Sequence, residues 1–303
     1  MSGSDRYSAT SGQVGVSLMA AFTVLSWAAI FPLTRWCLQW FTPLELVTLR
    51  TLTAAGVLAG GLLFVRPPLP RPRAVVALAI CAFFGVALYN LLLSWGLVTL
   101  SAGAASFLTN TIPIFTALLS CLFNGERLTR NAVAGMLIAF TGIAIITSSQ
   151  PGGLSFQSGA ILVLGATLCS ALYIVLQRRL VSASSPLQTA SWLMIFGAVF
   201  LVPFSPGAME AAMAAPPVTL LLLAVLAIVP GALGQIAWLH VLKGIPAGRA
   251  ATLLYLIPPL ATAIGVIWLG ETLSLALVIG GAIAISGVSI VHATQTTHQG
   301  TTA

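Results

Sequence analysis

One stretch of this chain occurs twice. Residues 101–146, shifted forward by 145 positions, fall on residues 246–291 without a gap, and 15 of the 46 positions are then identical. Identical leucines or alanines mean little in so apolar a chain, but several identical pairs are glycine, proline or glutamate: Gly103/Gly248, Pro113/Pro258, Gly125/Gly270, Glu126/Glu271, Gly135/Gly280 and Gly142/Gly287. A repeat of this length predicts an internally duplicated fold.

The composition is that of a protein embedded in a membrane. Hydrophobic residues make up 58% of the chain and charged residues only 6%, with a mean hydropathy of +1.06, whereas soluble domains carry about a quarter charged residues. The net charge of +7 would favour a nucleic-acid partner only if the basic residues clustered on one solvent-exposed face. They fall instead in short gaps between apolar runs, so we expect contact with membrane lipid and no nucleic-acid binding.

Apolar runs of the roughly 20 residues needed to cross a bilayer as a helix occur ten times. The sequence therefore predicts an all-α integral membrane fold with ten transmembrane helices. They are placed at residues 14–36, 43–65, 73–97, 102–124, 131–149, 157–179, 187–205, 217–242, 247–269 and 273–292.

The basic residues indicate how these helices are oriented, because loops that face the cytoplasm are enriched in lysine and arginine. If the N-terminus is cytoplasmic, the external side receives only Arg35, and Arg50 lies within a span. All the others fall on the cytoplasmic side: Arg6, Arg66, Arg71, Arg73, Arg127, Arg130, Arg178, Arg179, Lys243 and Arg249. We therefore expect both termini to be cytoplasmic.

The duplication divides the ten helices into two sets of five, predicted at residues 1–149 and 150–303. A weaker match at an offset of 144 extends the repeat to the first and sixth helices, where Arg35 corresponds to Arg179. Because each set contains an odd number of helices, the second set must enter the membrane upside down. The sequence thus predicts two inverted five-helix repeats within one membrane domain.

The charges beside the repeated glutamate agree with this inversion. Arg127 follows Glu126 on the side predicted to be cytoplasmic, whereas Thr272 follows Glu271 on the side predicted to be external. Two inverted copies can each adopt the other's conformation, which moves the opening from one side of the membrane to the other around a site near mid-depth. This arrangement is typical of a secondary transporter.

Other classes of protein lack support in the sequence. There is no Walker-type phosphate loop, so ATP is not expected to be the direct energy source. There is also no HExxH motif, paired aspartates or Ser–Lys dyad of the kind that a membrane-embedded enzyme would need. We therefore expect no enzymatic activity, no cofactor and no metal.

The chain resembles the drug/metabolite transporter superfamily, in its EamA-type branch. The resemblance covers about residues 14–292 and rests on the ten helices in two inverted repeats and on a repeated motif: Pro113…Gly125-Glu126…Gly135…Gly142 and Pro258…Gly270-Glu271…Gly280…Gly287. Within that branch, the chain is similar to bacterial inner-membrane exporters of amino acids, including aromatic ones. The resemblance implies efflux of small metabolites by alternating access across the bacterial inner (plasma) membrane.

Polar and aromatic side chains inside the spans are the candidate substrate-binding residues, because an unpaired polar group is costly in hydrocarbon and faces a cavity or a neighbouring helix. They are Trp27, Tyr89, Asn90, Asn110, Tyr173, Gln177, Gln235, Trp238 and Tyr255. Such a lining suits neutral or zwitterionic amphiphiles, held by aromatic contact and a few hydrogen bonds. For the two asparagines, the alternative is hydrogen bonding between helices.

Arg50 is the ionisable group placed well inside a span, and an intramembrane charge suggests a functional role. Glu45, five residues earlier, offers the alternative of a structural ion pair. No aspartate or glutamate is predicted at mid-depth, which favours facilitated efflux over proton antiport.

The repeated glycines suggest two roles. Gly103 and Gly248 open the fourth and ninth helices, and we predict that they act as hinges. The remaining four are predicted to permit close packing between helices: Gly135, Gly142, Gly280 and Gly287.

Taken together, the sequence predicts a secondary exporter of small amphiphilic metabolites, foremost amino acids including aromatic ones. One alternative is a nucleotide-sugar or phosphorylated-metabolite carrier of the same superfamily, for which several mid-depth lysines or arginines would be expected where only Arg50 is available. A membrane protein without transport activity is the alternative from another class, and it would not explain why polar mid-depth residues accompany inversion symmetry. The sequence does not indicate an oligomeric state.

Overall fold

A computed structural model describes residues 3–65, 70, 72–124, 129–149, 158–177, 185–244 and 253–300. The secondary structure over these ranges consists of helices joined by short turns, and they contain no β-strand. The predicted all-α fold is therefore confirmed.

Eight helices among the described residues are long and apolar enough to cross a membrane: Gly15–Cys37, Pro43–Val65, Ala74–Thr99, Ala102–Phe123, Arg130–Ser148, Ser158–Leu176, Leu187–Ala214 and Pro217–Leu242. Two shorter apolar helices follow, at Leu254–Leu269 and Leu275–Val291. These ten helices, called the first to the tenth span below, correspond in number and order to the ten predicted from the sequence, and residues 247–252 of the predicted ninth helix lie outside the described residues.

The seventh span is longer than predicted, because it continues to Ala214 and does not end near residue 205. It consists of a helix at Pro186–Leu201, a 3₁₀ turn at Val202–Phe204 and a second helix at Ser205–Ala214. Pro203 and Pro206 do not end the span, because each occupies the first turn of its own segment, where a missing N–H group breaks no helical hydrogen bond.

The outer surface of the helix bundle is apolar. Large hydrophobic side chains point away from the protein, among them Phe64, which is 91% exposed, and Ile267, which is 85% exposed. An apolar surface of this extent marks contact with lipid and not with water. The protein is therefore a multi-pass membrane protein.

The fifth and tenth spans, which correspond to each other in the repeat, pack together through glycines. A Cβ atom on Gly135 would lie 2.7 Å from the carbonyl oxygen of Gly287, and one on Gly280 would lie 2.7 Å from the carbonyl oxygen of Gly142. Since Gly135 corresponds to Gly280 and Gly142 to Gly287, each pair is the twofold image of the other, and the two helices run antiparallel. The contact confirms the inversion, and it confirms the predicted packing role of these four glycines.

Helix breaks also recur at corresponding positions of the two repeats. The third span contains a π-helical segment at Phe83–Leu88, and the eighth span contains one at Ala227–Leu233. The fourth span is interrupted between Thr109 and Ile112, and the ninth begins with a 3₁₀ turn at Leu254–Leu256. A shift of 145 positions superposes each break on its partner. π-Helical segments and discontinuous spans occur frequently at functional sites, since they free backbone groups and redirect side chains near mid-depth.

The largest buried cluster joins the two repeats. It contains Phe31 and Leu108 from the first repeat together with Val163 and Ile257 from the second. Trp27 and Tyr89 pack against this cluster and are only partly buried. The core therefore lies where the repeats meet, and two of the candidate residues lie at its edge.

Candidate functional site

Most of the predicted binding residues lie at or beside the helix breaks. Tyr89 and Asn90 follow the π-helical segment of the third span directly, and Gln235 stands two residues after that of the eighth. Asn110 lies in the break of the fourth span, and Tyr255 lies in the 3₁₀ turn of the ninth. The irregular backbone thus places these side chains on the interior elements of both repeats.

The two asparagines bond to their own helices. The Nδ2 group of Asn90 donates to the carbonyl oxygen of Val86 at 2.7 Å, within the π-helical segment. The Nδ2 group of Asn110 donates to the carbonyl oxygen of Ser106 at 3.2 Å, just before the break. Hydrogen bonding between helices, the alternative considered for both, is not observed among the described residues. Each amide instead satisfies a backbone acceptor beside an irregular segment.

Trp27 of the first span and Trp238 of the eighth span meet across the two repeats. Their ring centroids lie 5.5 Å apart with an interplanar angle of 49°. Gly234 makes room for this pair, because a Cβ atom there would lie 3.0 Å from Trp27 Nε1. Both rings are half-buried, so an apolar group that enters the bundle could contact the exposed parts of both rings.

Tyr173 of the sixth span lies against the π-helical segment of the third span. A Cβ atom on Gly85 would lie 2.6 Å from Tyr173 Cγ. The ring therefore depends on the absence of a side chain at Gly85, one turn before Tyr89. Gln177 ends the same helix as Tyr173, and its side chain lies outside the described residues.

Tyr255 lies in different surroundings from the other aromatic candidates. It packs against a cluster that includes Ile114, Met136 and Val288, on the fourth, fifth and tenth spans. Its hydroxyl is buried beside Ser289 of the tenth span. The structure thus brings Trp27 together with Trp238, and Tyr173 against Gly85 one turn before Tyr89, but it places Tyr255 in the helix packing around the fifth and tenth spans.

Arg50 of the second span is buried, with 8% of its surface exposed. It lies close enough to Tyr89 and Cys37 to interact with both electrostatically. Glu45 does not pair with it, because the Glu45 carboxylate accepts a hydrogen bond from the backbone N–H of Thr42 at 2.8 Å and so caps the start of its own helix. The structural ion pair considered from the sequence is therefore not formed.

Sequence reasoning missed a contact between the repeats at one end of the bundle. The backbone N–H of Ala102 donates a bifurcated hydrogen bond to the two carboxylate oxygens of Glu271, at 2.9 and 3.1 Å, and Glu271 Oε1 lies 3.3 Å from the Nε atom of Arg35. Arg35 also donates to the carbonyl oxygen of Leu100. We call the end of the bundle where these residues meet the Glu271 end.

The local sequence explains how Glu271 reaches this position. Gly270 ends the ninth span with a left-handed backbone (φ 66°), and the Glu271 N–H donates to the Gly265 carbonyl oxygen at 3.1 Å. This turn, which favours glycine, directs the carboxylate back toward the N-terminus of the helix that starts at Ala102. The positive end of the helix dipole favours an anion there. The repeated Gly–Glu pair and Arg35, the one basic residue that the sequence predicts on the external side, were the signals in the sequence.

Two further contacts hold the Glu271 end together. Trp36 of the first span stacks on Trp268 of the ninth, with ring centroids 5.4 Å apart and an interplanar angle of 11°. Gly103 lies under the ninth span, where a Cβ atom would come within 2.6 Å of Thr262 Oγ1. The hinge role of Gly103 stays a prediction, and Gly248, its counterpart, lies outside the described residues.

Histidine, cysteine, aspartate and glutamate do not form a group of three that could hold a metal within the described ranges. The polar groups described in the bundle interior include hydroxyls, amides, thiols and the Arg50 guanidinium.

The sequence matches the EamA-like transporter family twice, over residues 15–148 and 157–293. It is 32% identical over 272 residues to the "Probable terminal-alkyne amino-acid exporter" of Streptantibioticus cattleyicolor, covering 89% of this chain and 91% of that protein. It is 30% identical to the "Uncharacterized transporter YdfC" of Bacillus subtilis, covering 88% of this chain and 87% of that protein.

A more distant relative is the "Probable amino-acid metabolite efflux pump" of Salmonella typhimurium, which is 25% identical over 90% of this chain and 93% of that protein. A solved crystal structure has the same fold, with a TM-score of 0.63 at 21% identity, covering 91% of this chain and 95% of that one. Since family matches cover both halves of the chain, the protein belongs to the EamA-like transporter family.

Proposed function

We propose that this protein is a secondary transporter that exports small amphiphilic metabolites, foremost amino acids including aromatic ones, by alternating access. The observation that carries the proposal is the recurrence of the helix breaks at corresponding positions of two inverted repeats, with candidate side chains at each break. Discontinuous spans at a repeat interface are where secondary transporters bind their substrates.

The substrate class follows from the side chains and is supported by the relatives. Trp27, Trp238 and Tyr173 offer apolar surface at the interface between the repeats. The two relatives with named substrates are described as exporters of amino acids or their metabolites. A small molecule with an apolar part and a zwitterionic part would suit such a lining, because its apolar part can contact these rings and its charged part can bind the polar side chains at the helix breaks.

We place the protein in the bacterial inner membrane with both termini in the cytoplasm, as the distribution of basic residues favours. Residues 1–149 and 150–303 then form the two repeats, and the Glu271 end faces outward. In this orientation, the contacts of Glu271 and the Trp36–Trp268 stack close the external side. Exchange of conformations between the repeats would open this end and close the opposite one.

Reconstitution into liposomes tests the proposal. We expect uptake of labelled phenylalanine, tyrosine or tryptophan above that of empty liposomes, and counterflow when the unlabelled amino acid is loaded inside. Trp27→Ala should weaken apparent affinity for the aromatic substrates, because the tilted pair with Trp238 is lost. Movement of none of the twenty amino acids by the folded protein would refute the amino-acid proposal.

A further inference from the structure

The interior of this bundle holds a buried cation for which the described residues provide no counterion. Arg50 has 8% of its surface exposed, and it is flanked on the second span by Val47 and Thr51, which are 0% and 3% exposed. Moving a charge out of water costs several kcal/mol unless an opposite charge or several hydrogen bonds compensate for it. The surroundings of Arg50 should therefore reveal what compensates for its charge.

The carboxylates with described side chains are all engaged elsewhere or lie on the surface. Glu45 caps its own helix, Glu271 binds Arg35 and Ala102, and Glu210 is exposed. Arg35–Glu271 is the only ion pair within the described part of the chain. Among the described residues, the five N–H donors of the Arg50 guanidinium thus have no hydrogen-bond or ion-pair partner.

The groups around Arg50 are donors as well. Tyr89 interacts with it electrostatically, and neither its hydroxyl nor the guanidinium forms a hydrogen bond with the residues that the structure describes. Cys37 approaches Arg50 from the first span. One turn before Cys37 and on the same helix face, the Thr34 hydroxyl is buried without a hydrogen-bond partner. A guanidinium and two hydroxyls can all donate to a single anion.

The polar cluster around Arg50 has an aromatic side chain in its neighbourhood, an arrangement that suits a molecule with a polar end and an apolar end. The Tyr173 ring packs against Gly85 of the third span, which lies one turn before Tyr89, the residue that interacts with Arg50. Arg35 and His240 lie in the last turn of their spans, whereas Arg50 lies about two turns inside the second span. A single guanidinium suits a monoanionic carboxylate, which it binds in bidentate fashion, better than a phosphate ester with two negative charges.

We propose that Arg50, Tyr89 and Thr34 form a carboxylate subsite, in which Arg50 binds the acid group of the transported molecule and Tyr173 contacts its apolar part. This inference rests on the proposed export of amino acids and adds to it a specific requirement. The acid group, and not the amine, is the polar feature that the protein selects. The bound carboxylate also neutralises the buried cation, so an occupied site lacks an uncompensated charge.

Binding to the purified full-length protein tests the subsite with three probes: L-phenylalanine, L-phenylalaninamide and phenylacetate. The amide has the same ring and amine but no carboxylate, whereas phenylacetate has the ring and the carboxylate but no amine. We expect the wild-type protein to bind both acids about tenfold or more tightly than the amide, the difference expected of one charge-assisted contact. Isothermal titration calorimetry in detergent gives the dissociation constants.

Variants then assign the preference to Arg50. Arg50→Gln should weaken the binding of both acids by about tenfold or more and leave the binding of the amide unchanged. Arg50→Lys keeps the charge but loses the bidentate geometry, so its preference for the acids over the amide should lie between those of the wild type and Arg50→Gln. Tyr89→Phe removes one hydrogen-bond donor and should weaken the binding of the acids by a few-fold. Arg130→Gln, at an exposed arginine, is the matched control and should bind all three probes as the wild type does.

The outcomes separate this inference from the proposed function. If Arg50→Gln keeps the wild-type preference for acids, or if the wild-type protein has none, the subsite is wrong even where amino acids are transported. If phenylacetate binds in an Arg50-dependent way but no amino acid is moved, the subsite stands and amino-acid export is wrong. Should Arg50→Gln fail to fold, the acid preferences of Arg50→Lys and Tyr89→Phe decide, and unchanged preferences in both would overturn the subsite.

Discussion

At the scale of single residues, the absence of a side chain matters as much as its presence. A Cβ atom on Gly142 would lie 2.5 Å from the carbonyl oxygen of Gly280 and 2.9 Å from the Cα atom of Ala284. Both neighbours are backbone atoms, which cannot rotate away as a side chain can. The distance between the fifth and tenth spans is therefore set by hydrogen atoms at these glycines.

Gly142→Ala should accordingly destabilise the protein by about 1–3 kcal/mol, the usual cost of overpacking. Its melting temperature in detergent, followed by circular dichroism or tryptophan fluorescence, measures this. Gly56→Ala is the matched control, because nothing lies within 4 Å of a Cβ atom there. That variant should melt at or slightly above the wild-type temperature, since alanine is the better helix former. Equal melting temperatures for both variants would contradict the packing argument.

For the candidate site, the sequence predicted which residues matter but not how their side chains are oriented. Arg50 and the aromatic candidates were identifiable because they are rare in apolar spans. Their orientation was not, because side chains that face lipid and side chains that face the interior are both apolar here, so helix periodicity gives little direction. Tyr255, which packs toward Met136 and Val288, and the asparagines, which bond their own helices, illustrate this limit.

At the scale of elements, the Glu271 end is held by few but directed contacts between the repeats. One carboxylate joins the start of the fourth span to the end of the first, and it does so from the turn after the ninth. Hydrophobicity predicted where the spans lie, since it depends on composition along the chain. The helix breaks and this contact were not predicted, because they depend on backbone hydrogen bonds and on a left-handed glycine that composition does not encode.

Glu271→Gln should loosen the Glu271 end, because the amide cannot pair with Arg35 by charge. The test places a cysteine at Ala105, which is fully buried one turn after Ala102, in a chain whose four native cysteines are replaced. A membrane-impermeant maleimide should label this cysteine roughly tenfold faster in the Glu271→Gln background, if one charge-assisted contact is lost only from the closed state.

Glu210→Gln, at an exposed glutamate, is the control for this labelling experiment and should leave the rate unchanged. Equal labelling rates for Glu271→Gln and the unsubstituted background would mean that the contact does not hold this end closed.

At the scale of the whole molecule, two inverted copies share one interior, and the described carboxylates lie at the ends or outside of it. Glu45 caps the start of the second span, and Glu271 lies in the turn after the ninth. Coupling to protons requires a group that gains and loses a proton inside the pathway. We therefore keep the expectation, made from the sequence, that the substrate moves down its own gradient.

The corresponding prediction is that exchange in liposomes does not require a pH gradient. The initial rate of counterflow of a labelled amino acid should be the same with and without a protonophore, and at equal or unequal pH across the bilayer. Empty liposomes correct for passive leakage. A rate that vanishes when the gradient is collapsed would instead establish proton coupling.

The glycine contact between the fifth and tenth spans has a consequence for the history of the chain. Because Gly135 meets Gly287 while Gly142 meets Gly280, the interface is self-complementary, in the manner of an isologous homodimer. A chain of only five helices, inserted into the membrane in both orientations, could form this interface with a second copy of itself. The present protein has the symmetry of such a dimer within one chain, so a substitution on either side of the contact alters the surface to which the other repeat must fit.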